Sequence, residues 1–349
     1  MRINPTHEKL SYSGRIDWTN QEAPVFVYPS TSVTMRFTGN ILHAFVENHR
    51  AYWNNFIGCI LDGEQQSFLL GEQGKETWDI PVREKERQVH EVLLFKRQDA
   101  CHEVGFLGFE IEEGAQILDP PSKPYRKMEV YGDSVSVGDV AEAVDYTGKE
   151  DPPHSGEYTN SWYSYAWMTA RKLNAEIYNI SQGGAALMDG TGWFHDPDTI
   201  GMETIWDKIR YNPELGPAMR WNFSEYCPQL VIVEIGQNDS RPTDYMKDDF
   251  YGECAENWRA HYRAFLRKIR QVYPEAYIIC CMTILYHDAG WDRSIGMVVQ
   301  ELQDPKITQY LFRKNGVGTP GHVRISEAEE MAEELKQYIE GLAIEGWNA

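Results

Sequence analysis

The serine at position 134 is the first candidate for chemistry in this sequence. It lies in the segment YGDSVSVG, directly after a short predicted strand that ends at Tyr131. A glycine before such a turn lets the chain bend sharply, and the serine then points out of the sheet at a helix N-terminus, where amide dipoles stabilise negative charge. This position suits a nucleophile. Because Gly-Asp-Ser also occurs in loops that only cap a helix, Ser134 needs support from other residues.

Two further segments could supply hydrogen-bond donors to an oxyanion. The apolar strand predicted over 229–235 ends in Gly-Gln-Asn-Asp, which places the amide of Asn238 at the carboxyl end of that strand. The strand predicted over 176–180 leads into Ser-Gln-Gly-Gly, where the backbone N–H of Gly184 could be exposed. Each segment alone is equally compatible with an Asx-turn or an ordinary Gly-Gly turn.

His322 is the candidate base. It lies in the segment GTPGHV, four residues ahead of Ser326, which with Glu329 predicts a capping box at the start of the last helix. A neutral imidazole held beside the serine could accept its proton and return it to a leaving alcohol. Most of the ten histidines are expected to be surface or structural residues, and only its place in the chain order distinguishes His322.

The N-terminal third has the pattern of an antiparallel β-sandwich. Short apolar or alternating runs at 33–37, 42–46 and 89–95 are separated by turn residues, and no helical period of useful length is present. We therefore predict a β-sandwich domain over 1–118. The segment DPPSKP follows, and its three prolines cannot sustain a helix or a central strand, so we predict a linker over 119–126.

The pattern changes to alternating strands and helices over 127–349, which predicts an α/β domain with a parallel sheet. In such a sheet ligands bind beyond the carboxyl ends of the strands. All the candidate residues lie in loops that follow predicted strands, so they are expected at that edge. Besides the segments above, we predict helices over 160–173 and 255–272 and a strand over 276–285.

Composition narrows the classes of partner. The chain has 349 residues, with 33 basic and 53 acidic side chains and a net charge of −20, which disfavours nucleic acid and anionic membrane surfaces and favours neutral ligands such as polysaccharides. No run of about 18 apolar residues is present, and the first residues lack an apolar signal region, so we expect a cytoplasmic protein; a secreted form without its signal would look the same. Exposed aromatic residues are compatible with an oligomer without requiring one.

Cysteine and histidine spacing gives no metal signature. The six cysteines show no CxxC spacing and suit reduced core thiols, so we predict neither disulfides nor zinc. His195-Asp196 and His287-Asp288 have no second-site partners at recognisable spacing. We predict no metal and no cofactor.

In chain order, Gly-Asp-Ser-x-Ser, a later glycine, Gly-x-Asn-Asp and a histidine before the last helix resemble the four sequence blocks of SGNH hydrolases. This sequence matches them at Ser134, Gly184, Asn238 and His322. The resemblance implies that Ser134 is the nucleophile and His322 the base. It also implies an oxyanion hole formed by the backbone N–H groups of Ser134 and Gly184 and the side-chain amide of Asn238.

The N-terminal region extends the resemblance over nearly the whole chain. Gly-Arg-Ile-Asp at 14–17, followed by the strand at 34–39, resembles the jelly-roll domain that precedes the hydrolase domain in carbohydrate esterase family two. Members of that family remove acetyl groups from polysaccharides such as xylan and mannan, often at the primary 6-hydroxyl, and use no metal. The resemblance therefore implies an acetyl esterase whose substrate is an acetylated oligosaccharide or polysaccharide.

One departure from the SGNH pattern concerns the acid partner of the histidine. SGNH enzymes commonly carry an aspartate three residues before it, whereas this sequence has Thr319 there and Pro320 next. Some members of the resembled family are thought to use a Ser-His dyad in which a backbone carbonyl orients the imidazole. We expect the same here, with oxyanion donors supplying much of the rate enhancement.

Two long connections, 187–227 and 286–318, are expected to shape the substrate cleft. Each carries tryptophans that could stack on a sugar ring, and we nominate Trp291, although such residues more often pack a loop onto the protein body. Two alternative functions remain: an SGNH lipase, thioesterase or arylesterase acting on other esters, and a carbohydrate-binding protein with a degenerate hydrolase site.

Overall fold

The structure, a computed structural model, describes residues 1–84 and 86–347. The chain forms two compact units. The N-terminal unit contains residues 1–123, and the C-terminal unit contains most of the chain from Pro124 onward. Two short later segments, 154–157 and 209–220, belong to the N-terminal unit, which the sequence pattern did not indicate.

The N-terminal unit contains two six-stranded antiparallel sheets, with strand orders β3-β4-β11-β6-β9 (β1 beside β11) and β12-β5-β10-β7-β8 (β2 beside β5). The strands are β1 Arg2–Ile3, β2 Ser11–Ser13, β3 Ile16–Asp17, β4 Val25–Phe26, β5 Ser32–Phe37, β6 Leu42–Arg50, β7 Phe56–Leu61, β8 Glu64–Leu69, β9 Gln73–Asp79, β10 His90–Lys96, β11 His102–Ile111 and β12 Ile117–Leu118. From β5 to β12 the chain repeatedly crosses between the two sheets, as in a jelly roll.

Alternation along the strands explains the core of this unit. In β6 the buried residues Leu42, Ala44 and Val46 alternate with more exposed ones, because successive side chains of a strand point to opposite faces. These side chains share one hydrophobic cluster with residues of the other sheet, including Met35 and Leu94. The two sheets are therefore the layers of a β-sandwich.

The C-terminal unit is built on a five-stranded parallel sheet with strand order β14-β13-β17-β18-β19. Its strands are β13 Arg126–Gly132, β14 Ala175–Ser181, β17 Leu230–Glu234, β18 Tyr277–Cys281 and β19 Ile307–Gln309. The strands β15 Lys208–Arg210 and β16 Met219–Arg220 pair with each other as a separate ribbon, most of which belongs to the N-terminal unit. The helices are α1 Ser134–Val137, α2 Tyr165–Lys172, α3 Met202–Ile205, α4 Tyr245–Asp248, α5 Glu253–Val272, α6 Ala289–Leu302 and α7 Ile325–Glu340.

Burial shows that this sheet is covered on both faces. Every residue of β14 and β17 is buried, as expected for parallel strands enclosed by helices. The longest helix, α5, is amphipathic, and its buried residues recur at helical spacing: Ala255, Trp258, Tyr262, Phe265, Leu266 and Ile269. The predicted α/β fold, with an N-terminal β-sandwich followed by a parallel sheet covered by helices, is confirmed.

Two predicted element boundaries are wrong. The long connection predicted over 286–318 contains α6, which Asp288 caps by accepting a hydrogen bond from the backbone N–H of Gly290. The capping box at the last helix is formed two residues earlier than predicted, because the Glu327 carboxylate accepts from the backbone N–H of Arg324 at 2.9 Å, and Ser326 lies inside the first turn.

The six cysteines are free, and two of them are not the core thiols that the sequence predicted. Cys59, Cys101, Cys280 and Cys281 are buried, whereas Cys227 and Cys254 are exposed. No helix among the described residues is long and apolar enough to cross a membrane.

Candidate active site

Parallel pairing brings the candidate residues to one edge of the sheet. In the register of the central strands, Gly132 at the end of β13 lies opposite Ser181 of β14 and Glu234 of β17. The segments that carry Ser134, Gly184 and Asn238 therefore leave the sheet side by side, although they are far apart in the sequence. Strand order and register alone account for this convergence.

Ser134 is the first residue of the four-residue helix α1, and Asp133 is the N-cap. The carboxylate of Asp133 is fully buried and accepts a hydrogen bond from the backbone N–H of Val135 at 3.0 Å. Ser134 is largely covered by protein, with 6% of its surface exposed. Asp133 thus fixes the turn that carries the serine.

A second buried carboxyl lies beside this turn. Glu234 is fully buried; its Oε2 accepts hydrogen bonds from the Ser136 hydroxyl at 2.7 Å and from the backbone N–H of Asp133 at 3.4 Å. Burial raises the pKa of Asp133 to about 6 and raises the pKa of Glu234 well above its usual range, where the negative charge of Asp133 adds to the effect. Burial and the neighbouring charge of Asp133 therefore both favour the protonated form of Glu234.

Gly184 has a backbone conformation that favours glycine. Its φ is +73°, and a Cβ atom there would lie 2.8 Å from the Cβ of Trp193. Its carbonyl accepts a hydrogen bond from the backbone N–H of Trp193 at 2.8 Å, which fixes the loop. Among the described residues, no acceptor is found for the backbone N–H of either Gly184 or Ser134. Two backbone donors are therefore available at this edge of the sheet.

Asn238 is anchored differently from these backbone donors. Its side-chain amide donates to the carboxylate of Asp133 at 3.1 Å and to the carbonyl of Ala185 at 3.1 Å, so both of its N–H groups are engaged. The next residue, Asp239, accepts hydrogen bonds from the backbone N–H of Leu187 at 2.7 Å. Asn238 therefore lies at the nucleophile turn, and a role as third oxyanion donor stays a prediction that requires it to share one N–H.

His322 has an acidic partner, and the predicted dyad is wrong. Its Nδ1 lies 2.6 Å from Oδ2 of Asp151, and its backbone N–H donates to Oδ1 of the same carboxylate at 2.9 Å. The two residues are separated by 171 positions in the chain. Asp151 stands in the segment GKEDPP, where nothing in local spacing distinguishes it from other loop acids. Sequence reasoning therefore missed it.

Close approach of two segments makes this pairing possible. Gly321 faces the backbone of the Asp151 loop, and a Cβ atom at this position would lie 2.5 Å from the carbonyl oxygen of Lys149. Only glycine allows the two backbones to approach so closely. The glycine before His322 was thus the one sequence feature connected with the missing acid, but it does not say which segment approaches.

The imidazole of His322 is subject to the charges of several carboxylates. Burial alone would lower its pKa, but the hydrogen bond to Asp151 and the negative charges of Asp139 and Asp133 outweigh it, so the pKa lies above its ordinary value. Asp133 directly precedes Ser134, and the backbone N–H of Asp139 donates to the Ser134 carbonyl at 3.0 Å. Both of these carboxylates therefore flank the short helix α1.

The pKa of Asp151 is shifted in the opposite direction. Burial would raise it, but the hydrogen bonds from His322 and Arg324 lower it below its usual range. Asp151 is thus ionised across the neutral range and can stabilise an imidazolium. Asp151 and His322 are thus a paired acid and base, and the predicted role of Ser134 as their nucleophile stays a prediction.

Trp291 is a core residue, so its nomination as a substrate-binding residue is wrong. It is 0% exposed on α6, donates from Nε1 to Asp244 at 3.0 Å, and packs edge-on against Trp258. The exposed tryptophan beside the site is Trp193, which is 57% exposed and lies next to Gly184 through the backbone hydrogen bond described above. The guanidinium of Arg241 lies 3.7 Å from the centroid of its ring.

The described residues include no group of three or more His, Cys, Asp or Glu side chains that could hold a metal ion. The His287 ring instead pairs with Asp292, at 3.0 Å. His195 bonds through Nδ1 to the carbonyl of Asp198. Neither histidine of the two His-Asp pairs thus gathers a ligand set within the part of the chain that the structure describes.

Comparison with known proteins identifies relatives of the whole chain. Residues 12–121 match the family model of the carbohydrate esterase 2 N-terminal domain. The cellulase/esterase CelE of Acetivibrio thermocellus is 28% identical over 350 residues, which are 97% of this chain but only 40% of CelE. The acetylxylan esterase / glucomannan deacetylase of Cellvibrio japonicus is 25% identical over 270 residues, which are 77% of this chain and 70% of that protein.

A solved structure has the same fold along nearly the whole chain. The family two carbohydrate esterase from Clostridium thermocellum, in complex with cellohexaose, superposes with a TM-score of 0.77 at 26% identity, covering 95% of this chain and 98% of that one. The predicted resemblance is confirmed: the chain is similar to the carbohydrate esterases of family two along nearly its whole length, and residues 12–121 match the N-terminal domain of that family.

Proposed function

We propose that this relative of the family two carbohydrate esterases is a serine esterase that removes acetyl groups from an acetylated carbohydrate. The observation that carries the proposal is the 2.6 Å hydrogen bond between Nδ1 of His322 and Asp151. That bond sets the tautomer in which Nδ1 carries a proton and Nε2 accepts one. Beside the nucleophile turn of Ser134, this is the arrangement that acyl transfer requires.

The first half of the reaction acylates the serine. His322 Nε2 takes the proton of the Ser134 hydroxyl as Oγ bonds to the acetyl carbonyl carbon, and the carbonyl oxygen becomes an oxyanion. The free backbone N–H groups of Ser134 and Gly184 stabilise this charge, and Asn238 adds a third donor by sharing an N–H. The bond to the sugar oxygen then breaks, and that oxygen takes the proton from Nε2.

The second half releases acetate. Water loses a proton to Nε2 of His322 as its oxygen attacks the acetyl-Ser134 carbonyl, and the proton returns to Ser134 Oγ when the acyl bond breaks. In both halves the ionised Asp151 stabilises the imidazolium that forms transiently. Asp133 remains a structural group that holds the turn.

The substrate class is proposed from three observations. The Cellvibrio japonicus relative is named for acetylxylan and glucomannan, and the Clostridium thermocellum esterase was solved with cellohexaose. Trp193 is 57% exposed beside the loop of Gly184, and an aromatic ring can stack on a sugar. The net charge of −20 suits a neutral glycan. The proposed substrates are therefore mannan oligosaccharides acetylated at the 6-hydroxyl and other positions, and xylan oligosaccharides acetylated at their secondary hydroxyls.

The direct test compares the wild-type protein with Ser134→Ala on acetylated xylan and acetylated glucomannan, with acetate release as the readout. We expect acetate from the wild type and none above background from the variant, with the same melting temperature. Ser136→Ala is a matched control at a neighbouring buried serine that touches Glu234 rather than the reacting atoms. Substantial acetate release by Ser134→Ala would refute the assignment.

Two further measurements separate this function from its alternatives. On 4-nitrophenyl esters, acetyl should be preferred over butyryl and longer chains, whereas a lipase or thioesterase would show the reverse preference. Glycan binding without acetate release from either polymer would indicate a binding protein with a degenerate site. NMR of an acetylated oligosaccharide during digestion reports which hydroxyl loses its acetyl group.

A further inference from the structure

Arg324 is a fully buried charged residue next to the triad. It stands two positions after His322, at the N-cap of α7, and is 0% exposed. One NH2 group of its guanidinium donates to Oδ1 of Asp151 at 2.7 Å, and the other donates to the backbone carbonyl of His322. One side chain thus contacts both the acid of the triad and the backbone of its base.

We propose that Arg324 is a positioning residue that holds the carboxylate of Asp151 against the imidazole of His322. The proposal rests on the esterase function, since the arrangement it protects is that of a triad. It goes beyond that function by assigning a role to a residue that contacts neither the substrate nor the reacting atoms.

The carboxylate of Asp151 shows why such a residue is needed. Its Oδ2 is bound to Nδ1 of His322, and its Oδ1 accepts from the His322 backbone N–H and from Arg324. The side chain of Asp151 is 28% exposed, so water can compete for both oxygens. A second donor on Oδ1 that is itself immobile restricts rotation of the carboxylate and keeps Oδ2 directed at the imidazole.

Asp151 comes from a loop that is distant from His322 in the sequence, so additional contacts are needed to hold it in place. An aspartate three residues before the histidine would be held by the local backbone, whereas Asp151 must be held by contacts across the fold. Glu327 adds a second tie, because its Oε1 accepts from the backbone N–H of Gly148 at 3.1 Å while its Oε2 binds the backbone N–H of Arg324. Residues at the start of α7 therefore bind both the backbone of this loop at Gly148 and the side-chain carboxylate of Asp151.

A buried arginine with no role would be costly. Removing a guanidinium from water costs several kcal/mol unless its bonds are satisfied, and buried ion pairs often add little net stability. Arginine suits this task because it is always charged and its planar group can bind two acceptors at once, which lysine cannot do in the same geometry. Arg324 uses these properties to bridge Asp151 and the His322 carbonyl.

The charges around His322 determine in which direction its pKa should change when Arg324 is substituted. The groups that raise its pKa are the carboxylates of Asp151, Asp139 and Asp133, with the hydrogen bond to Asp151 the largest of these effects. The guanidinium of Arg324 is not among the leading influences. Loosening Asp151 should therefore lower the pKa of His322, whereas simple removal of a nearby positive charge would raise it.

The experiment uses the full chain with Arg324→Gln, Arg324→Lys and the control Arg313→Gln. Arg313 is 78% exposed in its side chain and pairs at 3.8 Å with Glu334 of α7, so its substitution removes the same charge near the same helix. Three properties are measured: kcat and KM on 4-nitrophenyl acetate, the pKa of His322 by NMR of the histidine ring nitrogens, and the melting temperature.

For Arg324→Gln we expect kcat to fall about 100-fold, as for a small misplacement of a catalytic group, with KM changed less than about twofold. The pKa of His322 should fall toward its ordinary value. Arg324→Lys, which keeps the charge and one donor, should restore that pKa and recover part of kcat. Arg313→Gln should change none of these properties.

Several outcomes would overturn the proposal. They are an unchanged kcat with only a lower melting temperature, an unchanged or raised pKa of His322 in Arg324→Gln, and full recovery of kcat by lysine. If Arg324→Gln does not fold, Arg324→Lys decides the question. A restored pKa of His322 with a reduced kcat supports the proposal, whereas a kcat equal to that of the wild type contradicts it. The NMR titration needs no substrate, so it tests the position of Asp151 even if the wild-type protein hydrolyses no acetyl ester and the proposed function fails.

Discussion

His322 and Asp151 are bound to each other by two hydrogen bonds, one from Nδ1 to Oδ2 at 2.6 Å and one from the backbone N–H to Oδ1 at 2.9 Å. The second bond also ties the carboxylate to the histidine backbone, so the acid contacts its base at two points. This pair replaces the Ser-His dyad that the residues before His322 suggested, and it gives the first prediction.

Asp151→Asn should lower kcat by about 10²- to 10⁴-fold, because an asparagine leaves the imidazolium without its countercharge and allows the wrong tautomer. The measurement is initial-rate hydrolysis of 4-nitrophenyl acetate. Glu150→Gln is the matched control, since it removes the same charge from an exposed neighbour in the same loop. Equal loss in both variants, or wild-type activity in Asp151→Asn, would return the mechanism to a dyad.

The pH profile of kcat/KM should report the raised pKa of His322. The base must be neutral to accept the serine proton, so activity is lost as the pH falls through that pKa. Because the pKa is raised, we expect the acidic limb to lie above the ordinary histidine value of about 6.5. A limb below that value in the wild-type protein would contradict the charge environment described here.

Asn238→Ala separates oxyanion stabilisation from anchoring of the turn. Loss of a donor used in the transition state should reduce kcat by about 10²- to 10³-fold with little change in KM. If the amide serves only its bonds to Asp133 and Ala185, the variant will instead lose melting temperature and leave kcat nearly unchanged. Comparing the two readouts decides which role it has.

The two tryptophans should respond in opposite ways. Trp193→Ala should raise KM for an acetylated oligosaccharide about fivefold, equivalent to about 1 kcal/mol of ring contact, with no change in kcat/KM on 4-nitrophenyl acetate. Trp291→Ala should lower the free energy of unfolding by about 3–5 kcal/mol, because it empties a fully buried site. A glycan-specific effect of Trp291→Ala alone would reverse this assignment.

His102 should make the N-terminal unit sensitive to acid. It is fully buried, neither ring nitrogen has a partner among the described residues, and burial, together with nearby Lys96, lowers its pKa well below the usual value. The unfolded chain therefore binds a proton that the folded chain does not, so stability decreases as the pH falls below about 6.5. The contribution is at most about 1.4 kcal/mol per pH unit.

Urea unfolding of wild-type protein and His102→Leu at several pH values tests this. The variant loses no hydrogen bond, and its stability should fall less steeply between neutral and mildly acidic pH. His49→Gln, at an exposed histidine on β6, should retain the wild-type slope. Identical slopes in all three proteins would show that His102 does not titrate on unfolding in this range.

The sequence by itself determined the fold class and most of the candidate site. Alternation with period two marks the strands of the β-sandwich, and buried strands followed by helices mark the parallel sheet. Ser134, Gly184 and Asn238 could be found because each follows such a strand, and parallel strands align their carboxyl ends at one edge. Those are local signals combined with one general rule of topology.

Only the tertiary structure decided which groups complete the site. Asp151 was hidden because a carboxylate 171 residues away has no local signature, and its pairing depends on the approach of two loops past Gly321. Trp193 and Trp291 look alike in sequence, but one lies on a loop beside Gly184 and the other faces the core from α6. Periodicity specifies which face of an element is buried, whereas contacts between distant loops depend on side-chain geometry that the linear pattern does not contain.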